Sequence, residues 1–236
     1  MLFPVHIIDI IKFCSYWADR LARTDLIEGY IVTENDYTSN FTGSLRREIN
    51  TLSIPGLKAK IQVLNPKSER QIGADACIIF QNNKEFKASI FEAKWPRLKT
   101  HKNMWDSEQR STGSSHFHSQ LLRQKAHSHY AAIWEMFYCE FPFGKQPNNF
   151  PDKGSACVWH ADALAATLAR PDTKTPWSDY ELDSLLEGKS LSIAEIIKEI
   201  CICNQGVPLE IGNYRTAFGD IGLPHKALII TYIPEG

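Results

Sequence analysis

Several features that would assign a protein to a specialised class are missing from this sequence. No apolar run is long enough to span a bilayer, so a membrane is not expected among the partners. The 26 basic and 27 acidic residues leave a net charge of −1, which excludes a basic field over the whole surface. Any nucleic-acid partner must therefore bind a local patch. No glycine-rich phosphate loop and no G-x-S-x-G motif occurs, which argues against ATP-driven chemistry and a serine-hydrolase site.

The six cysteines do not follow the spacing of a disulfide-rich or zinc-binding protein. They are scattered along the chain. Cys201 and Cys203 are too close together for the usual zinc pair, and no second pair faces them. We therefore expect free thiols in a reducing compartment, and hence a cytoplasmic protein.

The N-terminal segment resembles a signal sequence only superficially. It lacks a basic start, Asp9 and Lys12 interrupt its apolar run, and no small-residue cleavage site follows. The spacing of its apolar residues instead predicts an amphipathic helix packed on the body of the protein. The residues at helical spacing are Ile7, Ile8, Ile11, Cys14, Trp17 and Leu21.

The remaining chain predicts an α/β protein, which we take as a single domain over residues 1–236. Thr33 can cap a helix that runs to about Asn50, since Glu34 and Asp36 place negative charge in its first turn. The later elements follow from alternation, helical spacing and turn residues. They are strands over 58–64, 73–80 and 86–95, a long helix over 114–139, a strand over 155–160, a linker over 171–176, a helix near 190–203 and a strand over 226–233.

The second and third strands bring charged residues together. A turn over 81–85 predicts an antiparallel hairpin, and the midpoint between Asp75 and Glu92 falls inside that turn. The two carboxylates should therefore lie near one another across the strands. Because side chains alternate along a strand, Glu92 and Lys94 should share one face, opposite Phe91 and Ala93.

Two carboxylates and a lysine at the end of an apolar sheet are chemically unusual. Buried like charges repel, and each costs several kcal/mol unless it is paired. A divalent cation would resolve the repulsion, because Mg²⁺ commonly binds one or two carboxylates together with phosphate oxygens and water. Lys94 could then orient or deprotonate the attacking water, or stabilise developing charge. The alternative is an ordinary exposed Glu-Lys pair, which contributes little.

These residues also carry a family resemblance. The segments G-A-D ending at Asp75 and I-F-E-A-K ending at Lys94 resemble the motif of the PD-(D/E)xK nuclease superfamily. The resemblance implies that Asp75 and Glu92 hold Mg²⁺ (or Mn²⁺) and that Lys94 serves the water nucleophile. One departure is Ala74, which stands where the motif has proline, although that position is the most variable in the superfamily.

The resemblance covers roughly residues 30–160 and implies the restriction-endonuclease-like fold. That core consists of a helix, a three-strand antiparallel meander, a helix and a strand, in the order predicted above. This chain would add an N-terminal helix and a C-terminal extension over about 165–236, whose strand could extend the sheet, form a dimer interface or hold a partner.

Two further catalytic residues are implied by the same resemblance. The superfamily often adds a glutamate from its first core helix, for which Glu34 is the best match and Glu28 the rival. Some members carry a glutamine on the helix after the third strand, and Gln120 fits that place, with Gln124 one turn further on. The alternative for both glutamines is a solvated helix face.

Basic and aromatic residues are interleaved directly after the motif. Lysine and arginine can contact phosphates, and an aromatic ring can stack on a base. The alternative is a solvated loop whose tryptophans pack inward. The candidate nucleic-acid contacts are Arg97, Lys99, Lys102, Trp105 and, on the following helix, Arg123.

Together these observations predict a metal-dependent endonuclease that cleaves DNA. Fold-level analogy suggests bacterial restriction or phage defence as its setting, with a homodimer or a larger defence complex as the assembly. Two alternatives stay open at this point. One is a non-catalytic module on the same fold that binds nucleic acid or protein, and the other is a toxin-like nuclease that cleaves RNA.

Overall fold

The computed structural model describes residues 1–63, 74–97, 105–110, 112–140, 154–213, 216 and 226–234. Over these ranges the chain is a mixed α/β protein, as predicted. Its helices are α1 (Val5–Ile27), α2 (Glu34–Thr51), α3 (His116–Lys125), α4 (His160–Leu168), α5 (Asp179–Lys189) and α6 (Ile193–Cys201). Its strands are β1 (Leu57–Val63), β2 (Ala76–Gln81), β3 (Glu85–Lys94), β4 (Glu108–Gln109), β5 (Ser114–Ser115), β6 (Ala132–Phe137), β7 (Ala156–Trp159), β8 (Leu209–Glu210) and β9 (Lys226–Tyr232). None of these helices is long and apolar enough to cross a membrane.

The N-terminal helix α1 forms as predicted, but part of its predicted inner face is wrong. Ile7 and Ile11 are buried, and the buried stripe continues through Ala18. Trp17 and Leu21 are 38% and 44% exposed. Each residue of a helix is rotated by about 100° from the next, so one position off the stripe is enough to expose a large side chain.

Helix α2 begins where the sequence predicts. Thr33 Oγ1 accepts the Asp36 backbone N–H at 3.1 Å, and Asp36 Oδ2 accepts the Thr33 backbone N–H at 3.0 Å. This reciprocal capping box satisfies two otherwise unpaired donors of the first turn. It also fixes the position of Glu34, the first residue of the helix.

One sheet organises the described chain, in the order β1-β9-β2-β3-β6-β7, with β8 paired to the start of β3. The predicted hairpin of β2 and β3 is confirmed as an antiparallel pair. The three-strand meander is wrong, because β9 lies between β1 and β2, antiparallel to β1 and parallel to β2. Burial explains this order. Residues 227–230 of β9 are all buried, as expected for a central strand. Lys58 and Lys60 of β1 are exposed, as expected for a strand at the edge of a sheet.

The predicted helix over 114–139 is also wrong in its second half. Helix α3 ends at Lys125, and residues 132–137 form β6, which runs parallel to β3. All six side chains of β6 are buried, so it has no solvated face that would set a period of two. The strand predicted over 155–160 is β7, which pairs antiparallel with β6 at the sheet edge. Helices α4 and α5, on either side of the predicted linker, were not anticipated.

Helices cover both faces of the sheet. On one face α1, α2 and α6 enclose the largest core, which contains Phe91, Ala93 and Trp134. On the other face α3, α4 and α5 pack around a smaller core that contains Phe117 and Phe137.

A buried aspartate fixes the start of α3. Asp106 Oδ1 accepts the Phe117 backbone N–H at 3.0 Å. Its Oδ2 accepts the Ser115 hydroxyl at 2.6 Å and the Trp177 backbone N–H at 3.0 Å. Asp106 thereby ties the first turn of α3 to the segment that leads into α5, and this holds the rest of α3 against the sheet.

Candidate catalytic site

The hairpin brings Asp75 and Glu92 together as the sequence predicts. The register pairs Ala76 with Phe91, which places Asp75 opposite Glu92. Asp75 Oδ2 accepts the Ala93 backbone N–H at 2.9 Å, so the carboxylate is anchored on the neighbouring strand. This bond limits where the other carboxylate oxygen, Oδ1, can lie.

Alternation along β3 separates the charged residues from the larger core. Phe91 and Ala93 pack with α1 and α2, so Glu92 and Lys94 lie on the face that α3 covers. Lys94 Nζ donates to Glu92 Oε1 at 2.6 Å, and Gln120 Nε2 from α3 donates to the same oxygen. Glu92 is only 4% exposed and Lys94 7%. The pair is therefore not the exposed Glu-Lys pair that was the alternative.

Glu34 reaches the same end of the sheet from α2. Its Oε1 accepts the Trp95 backbone N–H at 3.0 Å, directly after the last residue of β3. The rival, Glu28, is exposed at the C-terminal end of α1. Of the two glutamates, the structure brings Glu34 to the site.

Burial and mutual repulsion shift the acid–base properties of these groups. Burial raises the pKa of Asp75 to about 6, against the opposing effect of the Lys94 ammonium. Burial likewise raises the pKa of Glu92 to about 8, and the nearby Asp75 carboxylate adds to that rise. For Lys94, burial acts to lower the pKa, but Glu92, Glu34 and Asp75 together raise it above its ordinary value. Lys94 therefore stays protonated, whereas burial favours the neutral forms of the two carboxyl groups when no cation is bound.

Asp75 and Glu92 can supply two of the oxygen ligands that a divalent cation requires. In the described part of the chain no donor reaches Asp75 Oδ1 or Glu92 Oε2, so each residue offers one oxygen. No three His, Cys, Asp or Glu side chains among the described residues already form a metal-binding group. Two protein oxygens suit Mg²⁺, which keeps several waters or phosphate oxygens in its coordination sphere.

The residues predicted to contact nucleic acid differ in where the structure places them. The guanidinium of Arg97 lies 4.0 Å above the Trp95 ring, next to the site. Trp105 packs inward against Phe117 and Phe137, as the alternative for the tryptophans proposed. Arg123 is half-buried on α3, and its Nε has no partner among the described residues. Lys99 and Lys102 lie outside the described residues.

A further carboxylate beside Glu92 was not anticipated. Glu135 of β6 is the register partner of Glu92 and is fully buried. His160, the first residue of α4, places its Nδ1 3.9 Å from Glu135 Oε1. A single charged residue inside the buried apolar run A-I-W-E-M-F was the available signal, but assigning this run to a helix hid it.

Comparison of the chain with protein-family models, characterised proteins and solved structures finds no match.

Proposed function

We propose that this chain is a divalent-cation-dependent nuclease that hydrolyses phosphodiester bonds in DNA. The observation that carries the proposal is the convergence of Asp75, Glu92 and Lys94 at one end of the β2–β3 hairpin. The chain order of α2, β1, β2, β3, α3 and β6 supports a restriction-endonuclease-like core, and the inserted β9 is the main departure from it.

Asp75 and Glu92 would hold Mg²⁺ or Mn²⁺ through Asp75 Oδ1 and Glu92 Oε2, which accept no hydrogen bond from the described residues. When bound, the cation would neutralise charge on the scissile phosphate and so favour attack at phosphorus. The Ala93 backbone N–H holds Asp75 in place through its other oxygen, and Lys94 and Gln120 hold Glu92 in the same way. Such supporting hydrogen bonds orient ligands and tune their basicity.

Lys94 would act as a proton donor and a fixed positive charge, and not as a base. Three surrounding carboxylates favour its protonated form. A buried ammonium beside the reacting phosphate stabilises the negative charge that develops there, and burial strengthens this interaction. Glu34, anchored on the Trp95 backbone, lies where it could accept a proton from water or complete the cation site.

Arg97 and Arg123 would contact the phosphate backbone of the bound nucleic acid. Arg97 is held next to the site by the Trp95 ring and donates to the Val32 carbonyl at 3.4 Å. A local pair of arginines is consistent with the near-neutral charge of the whole chain. The setting in bacterial restriction or phage defence is part of this proposal and rests on analogy of fold.

The test is a cleavage assay on duplex DNA, single-stranded DNA and RNA with Mg²⁺ or Mn²⁺. We expect DNA cleavage that stops with a chelator and in Asp75→Asn and Lys94→Ala. Glu187→Gln and Lys198→Ala serve as matched controls, because both residues are exposed on helices away from the site. Cleavage that persists in Asp75→Asn would refute the mechanism, and cleavage of RNA alone would refute the assignment to DNA.

One observation favours a second candidate, a non-catalytic module that binds nucleic acid or protein. The Lys94–Glu92 ion pair balances the Glu92 charge without a cation. Its signature would be binding that Asp75→Asn and Glu92→Gln leave unchanged, together with no cation uptake.

A further inference from the structure

Glu135 is the most unusual charged residue of the described chain. It lies in the centre of β6, its exposed fraction is 0%, and neither carboxylate oxygen has a hydrogen-bond donor among the described residues. A buried carboxylate in this state costs several kcal/mol unless something positive compensates it. The Lys94 ammonium is already directed at Glu92, so it does not supply that compensation.

His160 lies beside Glu135 and is itself almost completely buried, at 4% exposure. The 3.9 Å between His160 Nδ1 and Glu135 Oε1 is too long for a hydrogen bond. Nδ1 instead lies 3.0 Å from Gln124 Oε1, which can only accept, so Nδ1 carries the hydrogen. In the neutral ring this leaves a lone pair on Nε2, which is buried and has no partner among the described residues.

The amide of Gln120 adds a third acceptor to this region. Its Nε2 donates to Glu92, the register partner of Glu135, and this bond fixes the amide orientation. Gln120 Oε1 is then a buried acceptor that no described donor reaches. Glu135, His160 and Gln120 thus supply buried acceptor atoms that no donor among the described residues reaches, and a cation bound between them would satisfy these atoms.

The charged residues around Glu135 also favour a bound cation. Glu34, Asp75, Glu92 and Glu135 influence one another or Lys94 electrostatically. Four carboxyl groups therefore lie near a single ammonium, that of Lys94, and this excess of acidic groups favours the binding of a further cation.

We propose that Glu135 and His160 form a second cation site, separate from the oxygens of Asp75 and Glu92, that binds a transition metal such as Mn²⁺. Imidazole suits transition metals and not Mg²⁺, which favours oxygen ligands. The hydrogen bond from His160 Nδ1 to Gln124 is the kind of contact that fixes the tautomer of a metal-binding histidine. The site goes beyond the proposed nuclease activity, because it ties β6 to α4 whether or not the chain cleaves DNA.

The experiment measures Mn²⁺ stoichiometry on the full chain by calorimetric titration, with folding checked by circular dichroism. We expect two Mn²⁺ per wild-type chain and one per chain in Glu135→Gln, in His160→Asn and in Asp75→Asn. Asp75→Asn combined with Glu135→Gln should bind none, and the exposed-site control Glu187→Gln should bind two.

A thermal-shift measurement gives an independent readout. Mn²⁺ should raise the melting temperature of Asp75→Asn, and it should not raise that of the Asp75→Asn, Glu135→Gln double variant. Glu135→Gln keeps the size of the side chain and places an N–H donor among buried acceptors, so the metal-free variant should be at least as stable as the wild type. Mg²⁺ should produce a smaller shift than Mn²⁺ in the Asp75→Asn background.

Wild-type stoichiometry in both Glu135→Gln and His160→Asn would overturn this inference. A single wild-type Mn²⁺ that only Asp75→Asn removes would also overturn it, while leaving the proposed nuclease site intact. Conversely, two bound Mn²⁺ with no chelator-sensitive cleavage would refute the nuclease function and support the second site.

Discussion

Two clusters of buried polar residues differ in how completely their hydrogen bonds are satisfied. The Asp19 cluster, made of Asp19, Arg23, Tyr37 and Ser155, joins α1 and α2 to the segment before β7. Asp19 accepts hydrogen bonds from the Tyr37 hydroxyl at 2.8 Å and from the Ser155 hydroxyl and backbone N–H. Arg23 Nε donates to the Cys139 carbonyl at 2.8 Å. No buried side-chain nitrogen or oxygen atom of these four residues lacks a hydrogen-bond partner.

The Glu92 cluster, made of Glu92, Lys94, Gln120, Glu135 and His160, is organised differently. Lys94 and Gln120 both donate to a single oxygen, Glu92 Oε1. On three of its members, buried acceptors have no donor in the part of the chain that the structure describes. A satisfied buried network stabilises and specifies a fold, whereas a partly satisfied one is costly unless a ligand completes it. The difference separates a structural cluster from a candidate functional one.

The largest effect expected from the contrast between the two clusters is a loss of cleavage activity when the candidate catalytic residues are changed. Asp75→Asn and Lys94→Ala should each lower the DNA cleavage rate by about 10³-fold, because each removes a group that would contact the cation or the reacting phosphate. The free energy of unfolding in urea should change little, since Asp75→Asn keeps the shape of the side chain. If Asp75→Asn lowers both the cleavage rate and the free energy of unfolding, Asp75 has a structural role as well, and the contrast between the two clusters fails.

A variant in the Asp19 cluster should have the opposite effect, a loss of stability without a loss of activity. Asp19→Ala leaves the buried Arg23 without its nearby negative charge and removes three hydrogen bonds. The free energy of unfolding should fall by about 3–5 kcal/mol in urea denaturation. Below the unfolding transition, the cleavage rate per folded molecule should stay near the wild-type value. A stable Asp19→Ala protein without activity would contradict the structural assignment.

Metal-free stability should depend on pH through Glu92 and Asp75. Their folded-state pKa values, about 8 and about 6, lie above the ordinary values of 4.5 and 3.8, so folding favours the protonated forms. This contribution is fully present below about pH 4 and is lost as pH rises through 6 and 8. The melting temperature in a chelator should therefore rise from pH 8.5 to pH 5.5.

Glu92→Gln is the matched control for that pH profile. Because glutamine does not titrate, the variant should show a shallower rise in melting temperature toward low pH than the wild type. Equal slopes in the two proteins would mean that another group, such as the buried Asp19, carries the pH dependence.

The smallest effect is expected at Gln120. Gln120→Ala removes one of two donors to Glu92 Oε1 and should lower the cleavage rate by about 10-fold, since a supporting contact orients a ligand without replacing it. Gln120→Glu places a further carboxylate beside Glu92 and should lower the rate more. Rates equal to the wild type in both variants would place Gln120 outside the functional cluster.

The candidate trio could be predicted from the sequence because its contacts are local. Asp75 and Glu92 lie on two strands joined by a short turn, so the turn position alone sets which residues face each other. Side-chain alternation then places Lys94 on the face of Glu92. The capping residues of α2 are equally local, and the predicted start of that helix is confirmed.

The errors concern contacts between residues that are distant in the chain. The sequence predicts the closing strand over 226–233, but its insertion between β1 and β2 depends on which sheet position buries both of its faces. Strand β6 shows no alternation because α-helices cover both faces of the sheet at that point. Neither property is visible in a window of neighbouring residues.

The sequence by itself thus determined the α/β class, the β2–β3 hairpin and the shared face of Glu92 and Lys94. Tertiary structure alone decided that Gln120 and Glu34 reach this end of the sheet and that Glu135 and His160 meet beside it. The physical reason is that hydrogen bonding and alternation act over a few residues. The burial that selects strand neighbours and brings α3 and α4 onto the sheet acts on the whole chain at once.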